Sequence, residues 1–507
     1  MEAKTIMLQG TASNVGKSIL TTALCRIFAQ DGYKVAPFKA WNMALNSHVT
    51  KDGGEIGTAQ AIQAQAAQVE AIVDMQPFLL KPKGDGVSQI IKHGRPLADL
   101  SLEEQDEDYR DYALDEIKAS LERLGQDFEI LVLEGAGSPA EINIKDKDLA
   151  NMNVAKMKET PVLLVADVDR GGALASVVGT IELLPPEERE LVAGIIFNKF
   201  RGDIDLFKSG VEIVEEETGI PVVGVIPYFK DFIIPAEDSV ALTDLKSEEA
   251  EIEIAVIRLP HLSNFNDLEA FRGEPRTEVR YVERECEIGD PDLIIIPGTK
   301  NTIDDLIYLR QSGLDREILA AAKKEVPIIG ICGGYQMLGE KLYDPAGTES
   351  DWEELDGLGL LPIVTTFNPK KLTFQAQAEI EGDSIFFADL NGGQLEGYEI
   401  HMGTSQLIDN GDNNFAFRIK QRGEEEVNVI DGAVSEDGLI FGTYLHGLFN
   451  NDQFRRNLIN TLRERKGLSS LSEAEVSVRG KLEDNYNKLA EIVRENLDLD
   501  KIYEIIA

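Results

Sequence analysis

The sequence predicts an α/β protein with two doubly wound, mostly parallel-sheet domains and a short helical tail at the C-terminus. Two series of nearly continuous apolar runs alternate with helical patterns, one on each side of an acidic stretch. Strands covered by helices on both faces have such runs, whereas strands with one solvated face alternate. After residue 450 the pattern is helical only, with Leu458, Ile459 and Leu462 on one face.

The apolar runs give the candidate strands in chain order. The glycine-rich turns at Gly392 and Gly432 indicate some antiparallel strands near the end of the second series. The first series comprises Thr5–Gln9, Lys34–Phe38, Ile130–Leu133, Val162–Ala166, Ala193–Phe197 and Val222–Val225, and the second comprises Ile252–Leu259, Leu293–Ile296, Val326–Ile331 and Leu439–Tyr444.

An acidic segment separates the two series. Between Glu237 and Glu253 there are seven acidic residues and one lysine, and there is little apolar periodicity. With 507 residues, the chain is long enough for two domains that each bury a core. We therefore predict a first domain over residues 1–235, a linker over 236–251, a second domain over 252–450 and a helical tail over 451–507.

Composition narrows the class of protein. A formal net charge of −40 disfavours nucleic acid as a partner, because a polyanion would be repelled. No apolar run reaches the ~18 residues that a membrane span needs. The three cysteines, Cys25, Cys286 and Cys332, form neither a disulfide framework nor a zinc motif. The N-terminus shows no signal-peptide pattern, so we expect a cytoplasmic protein without membrane or nucleic-acid partners; the number of subunits stays open.

A phosphate-binding loop follows the first candidate strand. Gly10-Thr-Ala-Ser-Asn-Val-Gly-Lys-Ser18 lies between that strand and a helical pattern, which is the context such a loop requires. Backbone N–H groups and the helix N-terminus bind phosphate, Lys17 supplies a positive charge and Ser18 offers a hydroxyl to magnesium. The nucleotide contacts predicted from the loop are Gly10, Thr11, Asn14, Val15, Gly16, Lys17 and Ser18.

The spacing of this loop is unusual, because five residues instead of four separate Gly10 from Gly16. It resembles the dethiobiotin synthetase-like branch of phosphate-loop proteins, which activate a carboxylate as an acyl phosphate with ATP. The resemblance implies that Lys39 reaches the transferred phosphate, and that Asp52 and Glu134 hold Mg²⁺ together with Ser18. It also places Asn198 at the adenine, although a structural turn asparagine is an equal alternative. For Asp52 the alternative is ordinary surface charge.

A second chemical motif surrounds Cys332. This cysteine follows an apolar strand, lies between Gly330 and Gly333-Gly334, and leads into a helical pattern. Small neighbours permit the tight strand-to-helix turn that exposes a nucleophile, and a helix N-terminus favours the thiolate. Backbone N–H groups at Gly333 and Gly298 are candidates for binding the oxyanion. We predict a nucleophilic cysteine.

Among the five histidines, His446 is the best candidate for the base. It follows an apolar strand and precedes a glycine, late in the chain. A cysteine followed much later by a histidine resembles class I glutamine amidotransferases, most of which carry a glutamate two residues after the histidine. Here that position is Leu448, so the residue that orients His446 must come from elsewhere. His401 is the alternative candidate for the base, but we interpret it as a structural or channel-lining residue.

Seven blocks in order resemble the cobyric acid synthase family over nearly the whole chain. That family also lacks the glutamate after its late histidine. The blocks are Gln9-Gly-Thr-Ala-Ser-Asn-Val-Gly-Lys-Ser, Asn42-Met-Ala-Leu-Asn-Ser, Leu79-Leu-Lys-Pro-Lys, Glu134-Gly-Ala-Gly-Ser-Pro-Ala-Glu-Ile-Asn, Ala166-Asp-Val-Asp-Arg-Gly-Gly, Asn198-Lys-Phe-Arg-Gly-Asp and Gly442-Thr-Tyr-Leu-His-Gly.

The resemblance implies ATP-driven, glutamine-dependent amidation of the b, d, e and g carboxylates of a corrinoid, cobyrinic acid a,c-diamide. Glutamine and the corrinoid are then the partners, ATP and Mg²⁺ the cofactors, and no prosthetic group is tightly bound. The first domain would be the amidoligase and the second the amidotransferase. The residues expected on the acceptor side are Asn42, Glu141, Asn143, Asp167, Asp169 and Arg170.

Two other functions remain open on the sequence. The sister enzyme that amidates the a and c carboxylates shares both domains and the same chemistry. A nucleotide-dependent switch protein would explain Gly10–Ser18 but would leave Cys332 and His446 without a role.

Overall fold

The chain forms two compact units. The computed structural model describes residues 3–84, 87–101, 107–229, 244–245, 249–272, 274–284, 287–408, 415–472 and 477–507. The first unit takes Met1–Ala44, Glu55–Ile234 and Leu482–Ala507, and the second takes Leu45–Gly54 and Pro235–Lys481. Cys286 and most of the predicted linker, residues 236–251, lie outside the described residues. None of the described helices is long and apolar enough to cross a membrane.

The described strands are short and mostly buried, as expected for runs rich in Val, Ile and Leu. Their bounds are β1 Lys4–Gly10, β2 Val35–Phe38, β3 Trp41–Met43, β4 Ser47–Val49, β5 Glu55–Gly57, β6 Phe78–Gly84, β7 Val87–Lys92, β8 Arg95–Ser101, β9 Ile130–Glu134, β10 Val162–Asp167, β11 Val192–Phe200, β12 Val222–Pro227, β13 Ile252–Ile257, β14 Thr277–Val282, β15 Leu293–Ile296, β16 Ile328–Ile331, β17 Lys341–Tyr343, β18 Glu354–Asp356, β19 Ile363–Thr366, β20 Leu372–Ile380, β21 Gln394–His401, β22 Thr404–Leu407, β23 Phe417–Arg422, β24 Glu425–Asp431, β25 Ala433–Val434, β26 Ile440–Thr443 and β27 Leu445–His446.

The α-helices connect the parallel strands and form the C-terminal end. Short 3₁₀ helices supplement them, including Phe265–Phe271 in the second unit. The helices are α1 Lys17–Gln30, α2 Thr58–Ala66, α3 Glu107–Asp127, α4 Met152–Met157, α5 Ala173–Leu183, α6 Pro186–Arg189, α7 Lys208–Thr218, α8 Thr302–Ser312, α9 Leu314–Lys323, α10 Gly333–Leu338, α11 Asp452–Arg465, α12 Val478–Asn496 and α13 Leu499–Ile505.

The first unit is built on a six-stranded parallel sheet in the order β12-β11-β10-β1-β9-β2. All six strands that the sequence predicts for this part of the chain are its members. All residues of β9 and β10 are buried, because helices cover both faces of the sheet. In such sheets ligands bind beyond the carboxyl ends of the strands. The loops after β1, β9, β10 and β11 meet at that edge.

The C-terminal helices are divided between the two units. Helix α11 packs in the second unit, whereas residues from Leu482 onward belong to the first. Leu489 and Val493 of α12 share a buried core cluster with Leu24 of α1. The same two helices are also joined by an ion pair, because Nη2 of Arg26 on α1 lies 2.7 Å from a carboxylate oxygen of Glu483 on α12. The last helix pair of the sequence therefore covers the first helix of the phosphate-loop unit.

The second unit has a central six-stranded sheet in the order β14-β13-β15-β16-β26-β25. Its strands are parallel except for the antiparallel pair β25–β26. Two further sheets, β18-β17-β19-β22 and β24-β23-β20-β21-β27, are largely antiparallel. The predicted α/β class with mostly parallel central sheets and a helical C-terminal end is confirmed.

Candidate active sites

The phosphate-binding loop joins β1 to α1 at the carboxyl edge of the first sheet. Asn14 and Gly16 have positive φ angles of 61° and 101°, which turn the chain back toward the helix N-terminus. If residue 10 carried a side chain, its Cβ atom would lie only 2.6 Å from Cγ2 of Val15 and 2.9 Å from Nζ of Lys17, so the loop requires glycine there. The N–H of Thr11 donates to the carbonyl of Val165 at 2.9 Å, so β10 also holds the loop. The loop therefore joins a strand to a helix N-terminus, as the sequence predicts, and its contacts with nucleotide stay a prediction.

Lys17 is buried, and its ammonium group lies across the loop. Its Nζ donates to the carbonyl of Ala12 at 3.1 Å and to that of Gly137 at 3.0 Å. Gly137 comes from the loop after β9. The lysine charge is therefore held between two strand-end loops, where an anionic phosphate group would be bound.

Glu134, the last residue of β9, is the centre of a polar cluster. One carboxylate oxygen accepts from Ser18 Oγ at 2.8 Å and from Lys39 Nζ at 2.9 Å, and the other accepts from Gln63 Nε2 at 2.6 Å. Burial alone would raise the pKa of this carboxyl, but Lys39, Ser18 and Gln63 hold it below its usual value. A hydroxyl and an ionised carboxylate beside a phosphate loop are the oxygen ligands that Mg²⁺ takes. Ser18, Lys39 and Glu134, predicted from distant parts of the sequence, are brought together.

Asn198 lies at the carboxyl edge on β11 and braces the loop. Its Nδ2 donates to the carbonyl of Val15 at 2.8 Å, and a Cβ on Gly16 would lie 2.2 Å from that nitrogen. Its Oδ1 is buried, and no hydrogen bond to it occurs among the described residues. The side chain therefore has a structural contact, and the adenine contact stays a prediction.

The six residues predicted for the acceptor side occupy different environments in the first unit. Asn42 is buried on β3, whereas Glu141 and Asn143 are exposed after β9. Asp167 ends β10, is buried, and pairs with Lys199 at 2.8 Å, while the exposed Asp169 pairs with Arg201 at 2.6 Å. Exposed Arg170 lies 3.8 Å from Asp167.

Asp52, predicted as a metal ligand, lies in the Leu45–Gly54 segment, which packs with the second unit. There it accepts a hydrogen bond from Thr50 Oγ1. Its role as a metal ligand stays a prediction.

In the second unit, Cys332 lies in a strained turn between β16 and α10. Its φ of 52° and ψ of −107° are values that a residue with a side chain rarely adopts. A Cβ on Gly334 would lie 1.9 Å from the carbonyl oxygen of Ile296, so the turn requires glycine there. The Sγ atom is 3.5 Å from the carbonyl oxygen of Ile400. The sharp strand-to-helix turn that the sequence predicts is present, and the nucleophilic role of Cys332 stays a prediction.

His446 is fully buried and is oriented by Asp267. Asp267 Oδ2 lies 2.7 Å from His446 Nδ1, and its Oδ1 accepts the N–H of Gly447 at 2.7 Å. No hydrogen bond occupies His446 Nε2 among the described residues. A Cβ on Gly298 would lie 3.1 Å from His446 Cε1 and 3.7 Å from Cys332 Cβ, so these three residues adjoin one another.

The electrostatics favour a protonated His446. Burial alone would lower the pKa of the imidazole, but the Asp267 carboxylate and the proximity of Cys332 raise it to about 10. The Asp267 carboxylate thus favours the charged form of the imidazole, which adjoins Cys332. The three side chains have the arrangement of a nucleophile, an acid–base group and a residue that orients it.

Gly333 and Gly298, the predicted oxyanion-binding residues, both adjoin the cysteine turn. A Cβ on Gly333 would lie 2.5 Å from Cγ2 of Thr299, which shows how closely the loop after β15 approaches α10. Their role in binding an oxyanion stays a prediction. The rival histidine, His401, stacks on Tyr444 with ring centroids 3.8 Å apart and contacts the carbonyl of Gly403 at 2.9 Å.

Two residues of these clusters are not marked by any sequence motif. Asp267 precedes His446 by 179 positions, and Gln63 lies on α2 with no motif around it. The one sequence signal for Asp267 is its place in the loop region that follows β13, the first strand of the second series. Other acidic residues share that region, so the signal does not single it out.

Comparisons with known proteins agree with the two units. Residues 6–240 match the model of the CobQ/CobB/MinD/ParA nucleotide binding domain, and residues 253–454 match that of the CobB/CobQ-like glutamine amidotransferase domain. A cobyric acid synthase from Dehalococcoides mccartyi (strain CBDB1) is 50% identical over 99% of this chain and 99% of its own length. One from Moorella thermoacetica (strain ATCC 39073 / JCM 9320) is 50% identical over 99% of this chain and 97% of its own. Among solved structures, PurLQS from Thermotoga maritima has a TM-score of 0.31 at 20% identity, over 47% of this chain and 97% of that one.

The fold and the two sites define the class of protein: an ATP-dependent carbon–nitrogen ligase that takes its nitrogen from glutamine. Within that class, the chain belongs to the cobyric acid synthase family, because relatives at half identity cover nearly its whole length. Its reaction is therefore glutamine-dependent amidation in cobalamin biosynthesis.

Proposed function

We propose that this protein amidates the b, d, e and g carboxylates of cobyrinic acid a,c-diamide, with or without its adenosyl ligand, and so forms cobyric acid. One glutamine and one ATP are consumed for each amide. The observation that carries the proposal is that one chain holds both a buried Ser18–Lys39–Glu134 cluster at a phosphate loop and a buried Cys332–His446–Asp267 group. The two clusters support separate sites for carboxylate activation and for ammonia release.

In the second unit, the Cys332 thiolate attacks the side-chain amide carbon of glutamine. The tetrahedral oxyanion is held by backbone N–H groups of Gly298 and Gly333. His446 gives its proton to the departing nitrogen, so ammonia leaves and a thioester remains. Water, deprotonated by the now neutral His446, cleaves the thioester to glutamate and restores the thiolate. Asp267 keeps the imidazole in one orientation and stabilises its charged form throughout.

In the first unit, a substrate carboxylate attacks the γ-phosphate of ATP and forms an acyl phosphate with release of ADP. Ammonia then attacks the acyl carbon, and phosphate leaves with the C–O bond electrons. Activation is needed because a carboxylate is a poor electrophile with a poor leaving group. Lys17 and Lys39 offset the charge on the phosphates, and Asn42, Glu141, Asn143, Asp167, Asp169 and Arg170 are the proposed acceptor contacts.

Magnesium fits the donor atoms at this site. Ser18 and Glu134 supply a hydroxyl and a buried carboxylate, and Asp52 is the third proposed ligand. A bound Mg²⁺ neutralises phosphate charge.

The test of the proposed function is incubation with candidate corrinoids, ATP and glutamine, followed by mass spectrometry of the products. Each conversion replaces OH by NH₂ and shifts the mass, so conversions can be counted. Four conversions of the a,c-diamide are expected. Conversion of cobyrinic acid at two positions only would instead assign the chain to the sister activity at a and c.

A further inference from the structure

A piece of the N-terminal sequence is built into the amidotransferase unit. Residues Leu45–Gly54 pack with the second unit, although the chain on both sides of them belongs to the first. Gln375 Nε2 of β20 donates to the carbonyl of Val49 at 2.9 Å. The match to the amidotransferase family model begins only at residue 253, so it does not include this segment.

Two asparagines join this segment to the loop before the 3₁₀ helix Phe265–Phe271. Asn46 Oδ1 accepts the N–H of Phe265 at 3.1 Å, and Asn264 Oδ1 accepts the N–H of Ser47 at 3.1 Å. We call this reciprocal pair of hydrogen bonds the Asn46–Asn264 clasp. Asn46 and Ser47 are fully buried, and Asn264 is nearly so. Asn264 also has a φ of 53°, in the left-handed region that asparagine tolerates.

The clasp lies directly before the residue that orients His446. Phe265 begins the 3₁₀ helix, and Asp267 follows two residues later with both carboxylate oxygens bound to His446 and Gly447. Strand β4, which is part of the Leu45–Gly54 segment, lies against β20 and β21. Strand β21 pairs with β27 so that Tyr398 is opposite His446, and the two rings stack with centroids 5.1 Å apart. The segment therefore contacts both elements that hold the imidazole.

We propose that Asn46 and Asn264 are positioning residues for glutamine hydrolysis: the clasp fixes the start of the 3₁₀ helix and thereby the Asp267 carboxylate against His446. The inference rests on the roles proposed above for Cys332 and His446. A small displacement of Asp267 would weaken its hold on the imidazole, and misplacement on that scale lowers turnover more than substrate binding.

The test compares glutamine-driven and ammonia-driven amidation in the full chain. Asn264→Gly keeps the left-handed backbone but removes the acceptor for the Ser47 N–H. Asn46→Ala removes the acceptor for the Phe265 N–H. For each we expect glutamine-driven kcat to fall about tenfold or more, with little change in the KM for glutamine. The alkaline limb of the glutaminase pH profile should move to lower pH. Ammonia-driven amidation should stay at the wild-type rate, and Asn264→Asp, which keeps an acceptor oxygen, should restore glutamine-driven turnover.

Asn460→Ala is the matched control. Asn460 also forms a reciprocal pair of hydrogen bonds in the second unit, with the carbonyl and N–H of Leu471, but on α11. The Asn460→Ala variant should leave the glutamine-driven and the ammonia-driven amidation rates unchanged. Wild-type kcat and pH profile in folded Asn264→Gly and Asn46→Ala would overturn the proposal, as would an equal loss with ammonia. Failure of Cys332→Ala to use ammonia would instead refute the underlying assignment of the cysteine.

Discussion

At the scale of single residues, Asp267 contacts the imidazole of His446, whereas Leu448 occupies the position of the usual glutamate. The Asp267 carboxylate supplies a buried charge 2.7 Å from the ring nitrogen. Cys332 and His446 could be predicted because each lies at a strand end beside glycines, which is a local pattern. Asp267 could not, because only the fold brings it across 179 residues to the imidazole.

The Asp267→Asn substitution should lower glutaminase kcat by about 10²–10⁴-fold, because the imidazole loses both its orientation and the stabilisation of its charged form. The Asp267 carboxylate, together with the nearby Cys332, raises the pKa of His446 to about 10, so removal of the carboxylate should move the alkaline limb of the rate profile to lower pH. The pH dependence of glutamine hydrolysis measures this. Glu116→Gln, which alters a carboxylate 3.0 Å from His93 in the first unit, is the control and should leave the profile unchanged. An alkaline limb at the wild-type position in Asp267→Asn would contradict the role given to Asp267.

The same pKa predicts a pH dependence of stability. A histidine whose pKa is raised in the folded state stabilises the fold fully below pH 6.5, and this contribution is lost as the pH rises through about 10. Wild-type protein should therefore lose stability relative to Asp267→Asn between these pH values. Urea unfolding at pH 6 and pH 10 measures the difference, and a constant difference would contradict the assignment.

At the scale of elements, the sequence predicts the six strands of the first parallel sheet because each is a nearly continuous apolar run, but it misses the parallel strand β14, in which Glu278 and Arg280 interrupt the apolar pattern. Other elements are less predictable. Strands such as β24, with mostly exposed residues, carry no apolar pattern to mark them. The amphipathic pattern of α12 shows that Leu489 and Val493 face a core, but not that the core is the one around α1. The packing of Leu45–Gly54 with the second unit likewise depends on contacts far apart in sequence.

The phosphate loop gives a prediction at this scale. Gly16→Ala should abolish ATP-dependent amidation with either nitrogen source, because the φ of 101° is strained for alanine and the new Cβ would lie 2.2 Å from Nδ2 of Asn198. Basal glutaminase activity should persist. Gly32→Ala is the matched control, since its φ is 92° but nothing lies within 4 Å of the new Cβ. ATP binding by calorimetry and amidation rates distinguish the two variants, and full activity of Gly16→Ala would refute the assignment of the loop.

At the scale of the whole molecule, we propose a division of labour in which the second unit releases ammonia and the first activates the acceptor. Lys17→Ala should therefore lose amidation with both glutamine and ammonium salt, because the phosphates lose a buried counter-charge. Product formation from each nitrogen source measures this. Ammonia-driven amidation at the wild-type rate would show that Lys17 does not serve acceptor activation.

The most direct test of this division of labour is the product mass formed by Cys332→Ala from ATP and cobyrinic acid a,c-diamide, supplied either with glutamine or with ammonium salt. We predict no amide from glutamine and all four amides from ammonium. A folded variant that still amidates with glutamine, or that cannot use ammonium, would contradict the account.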